Sequence, residues 1–310
     1  MSSCQESRFR GVTDEQWALI GPLLPSNAGK KGHPFRDDRP VVDGIIHRFR
    51  TGVAWRDVPR GEFGPWQTLW KRHRRYAGDG TWDRVLQALL ADADAKGLIT
   101  WDVSVDATIA RAHQHATNTT RPDQDTGAGS NHKNLPLELV EPDGHGIGRS
   151  RGGLTTKIHH AVDASGRPLA VVVTGGQRND GAMLEQVLDD IRAPRPGGGR
   201  PRTAPDSVAA DKAYATGVNR RMLRARGIKT VIPEKSTEIA SRKRKGSAGG
   251  RPPPFDTDAY KARNVVERSF NRIKQWRGLA TRYDKLAITY RAGALIHACL
   301  TWAQLLGDTP

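Results

Sequence analysis

Three acidic residues stand where local patterning makes a carboxylate chemically useful. The segment Ile99–Asp106 alternates and is rich in β-branched residues, which predicts a strand ending at Asp106. Ser207–Asp211 predicts a short buried strand ending at Asp211. Ligands gather at the carboxyl ends of strands in open α/β sheets, so the two carboxylates can converge. Taken singly, an aspartate at a strand end serves more often as a turn or cap residue. The third acid, Glu267, falls within a helix predicted over Asp258–Trp276. At about 100° per residue, Val266, Phe270 and Ile273 share a core-facing stripe. Tyr260, Arg263, Glu267, Asn271 and Lys274 share the adjacent one. A carboxylate bordered by Arg and Lys beside a core face is either a functional acid or the charged flank of a helix laced by i,i+4 pairs. Spacing alone leaves both open.

The elements that must position these acids can be read along the chain. Thr13-Asp14-Glu15-Gln16 fits a capping box, followed by Trp17, Ile20, Leu23 and Leu24 at helical spacing until Pro25. Pro40 suits the first turn of a second helix, Pro65 opens a third with a basic end at Lys71–Arg75, and Gly80 or Thr81 opens a fourth. Beyond Ile99 the pattern changes to short strands. Asn118–Arg151 is polar and Gly-rich and reads as a loop, and Leu154–Asp163 and Leu169–Thr174 form a hairpin across Ala164–Arg167. A helix near Gly181–Ile191, a Pro/Gly/Arg linker at Ala193–Pro205, a helix at Gly217–Arg226, a strand at Thr230–Ile232 and a basic low-complexity stretch at Ser241–Pro254 follow. The order predicts a mixed α/β domain over 101–310 behind a mostly helical domain over 1–100.

Composition narrows the class. Of 310 residues, 36% are hydrophobic, which excludes wholesale disorder; 49 Lys+Arg against 33 Asp+Glu give +16, which favours a polyanionic partner. Two cysteines, Cys4 and Cys299, make neither a disulfide framework nor a four-thiolate zinc site. The apolar run near Ala292–Leu306 is shorter than the roughly 20 residues of a membrane span and predicts a buried helix. The N-terminus has no signal-peptide pattern, and a cytoplasmic protein is expected.

At this point the motifs carry a resemblance. Tyr260-x2-Arg263-x3-Glu267-x6-Lys274 resembles the signature around the catalytic glutamate of bacterial insertion-sequence transposases of the DDE class. Val105-Asp106-Ala107-Thr108 with Arg111-Ala112-His113-Gln114 is similar to the first-aspartate motif of the insertion-sequence-five type, and Ala210-Asp211-Lys212-Ala213-Tyr214 to its second. Lys157-Ile158-His159 and Gly175–Asp180 match segments between them, and Asp14–Trp70 resembles the accessory domain of that family. Many relatives carry Ser or Gly where this chain has Ala107, and the acid itself is intact. The resemblance implies a ribonuclease-H-like catalytic fold with Asp106, Asp211 and Glu267 as catalytic and metal-binding triad. It also implies Mg²⁺ or Mn²⁺, two ions, as cofactor, DNA as partner (transposon ends and target), and a homo-oligomer on that DNA. Three convergent acids without a cation would repel one another. Two hard cations roughly 3.5–4 Å apart stabilise both oxygens of an in-line phosphodiester displacement, and they prefer oxygen ligands. Tyr260, Arg263, Lys274, Lys212, Lys71, Arg72, Arg74 and Arg75 are the expected DNA contacts.

Other candidates are weaker. His113, His115, His159 and His160 lack a companion cysteine for zinc, and Gly197-Gly198-Gly199 lacks the Lys-Ser/Thr of a phosphate loop. A DNA-binding protein reading through its helical N-terminal region, or a nuclease that cleaves without joining, are the competing functions.

Overall fold

The computed structural model describes residues 11–26, 35–118 and 139–308. In chain order the principal elements are α1 (Asp14–Ile20), α2 (Asp38–Thr51), α3 (Trp66–Gly78), α4 (Thr81–Ala95), β1 (Asp102–Ala112), β2 (Gly148–Ser150), β3 (Gly153–Val162) and β4 (Pro168–Gly175). There follow α5 (Leu184–Asp189), β5 (Ser207–Ala210), α6 (Gly217–Ala225), β6 (Lys229–Val231), α7 (Ser236–Arg244), α8 (Thr257–Lys261), α9 (Asn264–Lys274) and α10 (Ala287–Gly307), with shorter turns between. They form two compact units: Met1–Leu89 with Ala112–Asp143 and Ile273–Pro310, and Leu90–Arg111 with Gly144–Arg272. The units therefore interleave along the chain and do not follow the linear division at residue 100.

The first unit is helical. The capping box forms as its sequence predicts: the Gln16 amide donates to the Thr13 hydroxyl at 3.3 Å, and the Thr13 amide to the Gln16 side chain at 3.1 Å. Gly52, at φ +73°, closes α2, its N–H donating to the Arg48 carbonyl. The apolar C-terminal run is the buried α10, and it packs against α1 and α3. Each N-terminal helix has one apolar face to cover, and a helix apolar on most sides supplies the complement. Among the described residues no helix is long and apolar enough to cross a membrane.

The second unit is built on a mixed sheet. On one side β1 pairs antiparallel with β3, and β3 with β4; on the other β1 pairs parallel with β5, and β5 with β6. The β3–β4 turn is set by Asp163, whose carboxylate accepts from the Ser165 and Arg167 amides at 3.0 and 2.7 Å, with Gly166 at φ +75°. The apolar face of α9 covers β3: Phe270 stacks on His160 at 5.3 Å, and Val266 and Ile273 are fully buried.

Four local expectations are corrected. β1 starts at Asp102 and runs through Asp106 to Ala112, because its antiparallel partner β3 continues pairing as far as Arg111. The helix predicted over Asp258–Trp276 divides into α8 and α9, since the amides of Arg263, Val265 and Val266 bond three residues back and form a tight turn. The polar stretch Asn118–Arg151 contains β2, paired with the start of β3; its residues 119–138 lie outside the described residues, as does Cys4. The basic stretch from Ser241 begins inside α7, where the ion pair of Arg242 with Glu234 compensates charge that masks helical character in the sequence.

Candidate active site

The parallel ladder of β1 and β5 ends at the pair Val105–Ala210. The next residue on each strand is an acid, Asp106 on β1 and Asp211 beyond β5. Register, not strand termination, is therefore what brings them side by side. Asp211 caps the short turn Lys212–Tyr214, its carboxylate accepting from the Ala213 amide at 2.7 Å. The Asp106 carboxylate accepts from the Ala107 amide at 2.8 Å. Glu267 lies in the first turn of α9 and is half exposed.

Arg263 joins two of the three. Its guanidinium donates to Asp106 Oδ2 at 2.8 Å and to Glu267 Oε1 at 2.7 Å. Burial raises the pKa of Asp106, with the charge of Asp211 adding to it; the Ala107 amide and Arg263 act in the opposite sense. Burial works against the charge of Arg263, but Asp106 chiefly, then Tyr260 and Glu267, outweigh it and hold its pKa above the ordinary value. Among the described residues no three His, Cys, Asp or Glu side chains are gathered as a ready-made metal cage. The positive charge beside Asp106 and Glu267 is that of Arg263.

Two residues at this site are missed by sequence reasoning about acids and cations. Tyr214 is buried, its hydroxyl has no hydrogen-bond partner among the described residues, and burial together with Asp106, Asp180 and Asp211 raises its pKa. Its signal is its place three residues after Asp211. Asn219, buried on α6, donates through Nδ2 to the Gly181 carbonyl at 2.8 Å and the Tyr214 carbonyl at 3.0 Å, tying the loop after Asp211 to the segment entering α5. No sequence pattern announces it. Asp180 in that segment pairs with Lys157 at 2.8 Å.

The remaining expected contacts divide. Lys212 is exposed beside Asp211, Lys274 is exposed at the end of α9, and the Tyr260 ring lies 5.3 Å from Phe255 and 5.8 Å from the Arg263 guanidinium. In the helical unit Lys71 and Arg75 are exposed, and Arg74 lies over the Trp70 ring at 4.6 Å. Arg72 does not share their exposure: it is buried, ion-paired with Asp38, bonded to the Tyr76 hydroxyl and stacked 3.8 Å from Phe35. A guanidinium with that many fixed partners is part of the packing. Of the four histidines, His159 bonds Thr174 and His160 stacks on Phe270 in the sheet unit, while His113 and His115 meet edge-on in the helical unit.

Comparison with known proteins identifies the family. Residues 99–302 match the family described as "Transposase DDE domain". The chain belongs to that transposase family. Residues 12–86 match a second, "Putative transposase of IS4/5 family". Among curated relatives, "Putative transposase for insertion sequence element IS402" of Burkholderia cepacia is 35% identical over 152 residues, 49% of this chain and 64% of that protein. "Uncharacterized protein y4sN" of Sinorhizobium fredii is 32% identical over 111 residues, 36% of this chain and 84% of that protein. The solved structure "Crystal structure of a pre-cleavage Mos1 transpososome" aligns with 92% of this chain and 83% of its own at 11% identity and a TM-score of 0.26, too distant for a positional comparison with this DDE transposase.

Proposed function

We propose that the chain binds the terminal inverted repeats of an insertion sequence and carries out metal-dependent DNA strand cleavage and strand transfer at Asp106, Asp211 and Glu267. The observation that carries this reading is the register of β1 and β5, which sets two carboxylates side by side, with Glu267 linked to Asp106 through one arginine.

The residues fit a hard divalent cation. The donor set consists of carboxylate oxygens, Asp106 and Asp211 are held by backbone amides that leave other lone pairs open, and Glu267 reaches solvent. Asp106, Asp211 and Glu267 would hold Mg²⁺ or Mn²⁺, two ions, whose charge would stabilise the attacking and leaving oxygens. The protein's own residues do the rest. The Ala107 and Ala213 amides fix the two aspartates, and Asn219 fixes the loop that bears the second. Tyr260, Lys212 and Lys274 face phosphate, as do Lys71, Arg74 and Arg75 on the helical unit, where residues 1–100 contribute recognition of the transposon ends. The working form is a homo-oligomer on DNA in the cytoplasm.

The test is cleavage of a transposon-end duplex with Mg²⁺ present and absent, using Asp106→Asn, Asp211→Asn and Glu267→Gln. Each removes a charge and almost no volume, so cleavage should vanish while duplex binding persists. Substantial Mg²⁺-dependent cleavage by any one of them removes that residue from the triad. Cleavage without joining to a target DNA would reduce the function to that of a nuclease.

A further inference from the structure

The helical unit holds a cavity of ≈ 290 Å³ that the catalytic reading leaves unused. Its walls are rings: Trp55 from the turn after α2, Trp70 and His73 from α3, and Tyr283 from the segment before α10. Trp55 and His73 lie 5.6 Å apart and tilted, and Tyr283 lies tilted 4.9 Å from His113, whose ring meets that of His115 edge-on at 4.5 Å. The acid on its lining, Asp284, is buried and neutralised by Arg48 at 2.8 Å. His73 donates from Nε2 to the Thr289 carbonyl and keeps a buried Nδ1 without a partner.

From this geometry we infer that the cavity accepts one unstacked nucleobase of a DNA strand; the inference rests on the chain acting on DNA. Three features select that occupant. Aromatic walls stack any base without regard to sequence. The volume is about twice the ~150 Å³ cavity that admits benzene, which leaves room for a one-ring or a two-ring base. The lining also carries Arg74 and the exposed Lys285, so the mouth is cationic. An adjoining cavity shares His115 and Lys285 and is otherwise lined by Gln114, Thr117 and Asn118, the polar side chains that bond phosphate and sugar oxygens. The two cavities together match one nucleotide: a ring in the first and its backbone in the second.

The test uses the full chain and single-stranded oligodeoxythymidylate with one 5-iododeoxyuridine, cross-linked by ultraviolet light and mapped by mass spectrometry. Cross-links are expected on peptides bearing Trp55, Trp70 or Tyr283. Trp70→Ala should weaken binding of the same strand by between about fivefold and about a hundredfold, the range of one base stack, with an unchanged salt slope. Trp70→Phe should restore most of that loss, which a merely cationic surface would not require. If Trp70→Ala melts early, Tyr283→Leu provides the same comparison. Cross-links confined to other peptides, or wild-type affinity in folded Trp70→Ala, would overturn the pocket. Its failure is separable from that of the parent reading: the pocket alone falls if wild type still cleaves transposon-end duplex with Mg²⁺, and both fall if wild type neither binds nor cleaves DNA.

Discussion

Arg263 is the residue whose role the geometry alters most. Its position one turn before Glu267 suggests a phosphate contact, yet its guanidinium lies against Asp106 and Glu267. Removing it leaves two acids uncompensated, one of them largely buried, at a cost of about 1–3 kcal/mol. Arg263→Ala should therefore melt earlier than wild type with little change in the salt dependence of DNA affinity, and Mg²⁺ should raise its melting temperature more than that of wild type, by mass action. Lys274→Ala should do the reverse: unchanged melting, and a slope of log affinity against log salt smaller by roughly 0.9. Calorimetry and salt titration of both variants decide the matter; a shrunken slope in Arg263→Ala would restore it to the phosphate contacts. Histidines provide the acid sensitivity. Burial pushes His73 down to about 4, and His159 likewise to about 4. Unfolded chains protonate histidine from pH about 6.5 downward while the folded protein does not until about 4, so stability falls as pH drops through that window and is unaffected above it. For fully buried His73 the loss is on the order of 3 kcal/mol. Denaturant midpoints measured from pH 7 to 4 should decline less steeply in His73→Gln than in wild type.

At the scale of elements, the helices of the first unit meet through a contact only glycine allows. A Cβ at Gly293 on α10 would stand 2.3 Å from the Phe49 ring of α2, a ring with no solvent exposure into which to move. Alanine gains helix propensity of up to about 1 kcal/mol, but overpacking costs about 1–3 kcal/mol. Gly293→Ala should thus lower the melting temperature, and Phe49→Leu should offset part of that loss in the double variant; additive losses would place the strain elsewhere. In the sheet unit the comparable device is Asn219. Replacing it with Leu keeps its volume but removes both hydrogen bonds, at about 1–3 kcal/mol, while the Tyr214 carbonyl still accepts from the Thr216 amide. Because that loop carries Asp211, Asn219→Leu should reduce turnover on the transposon-end duplex more than its binding, whereas a purely structural residue would leave the turnover of the folded fraction unchanged.

For the whole molecule, the decisive fact is that α10 packs with α1 and α3. A fragment beginning at Ile99 retains Asp106, Asp211 and Glu267 yet uncovers the most apolar of the described helices, whose Leu295, Trp302 and Leu306 are buried in the intact unit. Such a fragment is expected to bind a hydrophobic dye and to lose cooperative melting, and co-expression with residues 1–98 should restore both. A monomeric, dye-silent fragment would show that the catalytic region folds alone. Tests of end recognition are accordingly better made with point variants such as Lys71→Ala and Arg75→Ala than by deletion.

How much was legible beforehand follows from which interactions are local. The capping box at Thr13, the α3 start after Pro65 and the β3–β4 turn at Asp163 depend on neighbours within a few residues, and the linear pattern contains them. Asp106, Asp211 and Glu267 are candidates that motif and helical angle single out, since one face of a helix repeats in the sequence. Tertiary structure alone decided the rest. That Asp106 lies within a strand follows from the length of its antiparallel partner, and that it neighbours Asp211 follows from a register between segments about a hundred residues apart. The burial of Arg72 required Asp38, Phe35 and Tyr76 to meet it, and the partner of α10 had to be brought from the opposite end of the chain. A sequence records which faces are apolar and where turns fall; which face covers which other, and whether a cation meets solvent or a carboxylate, is settled only when distant segments compete for the same contact.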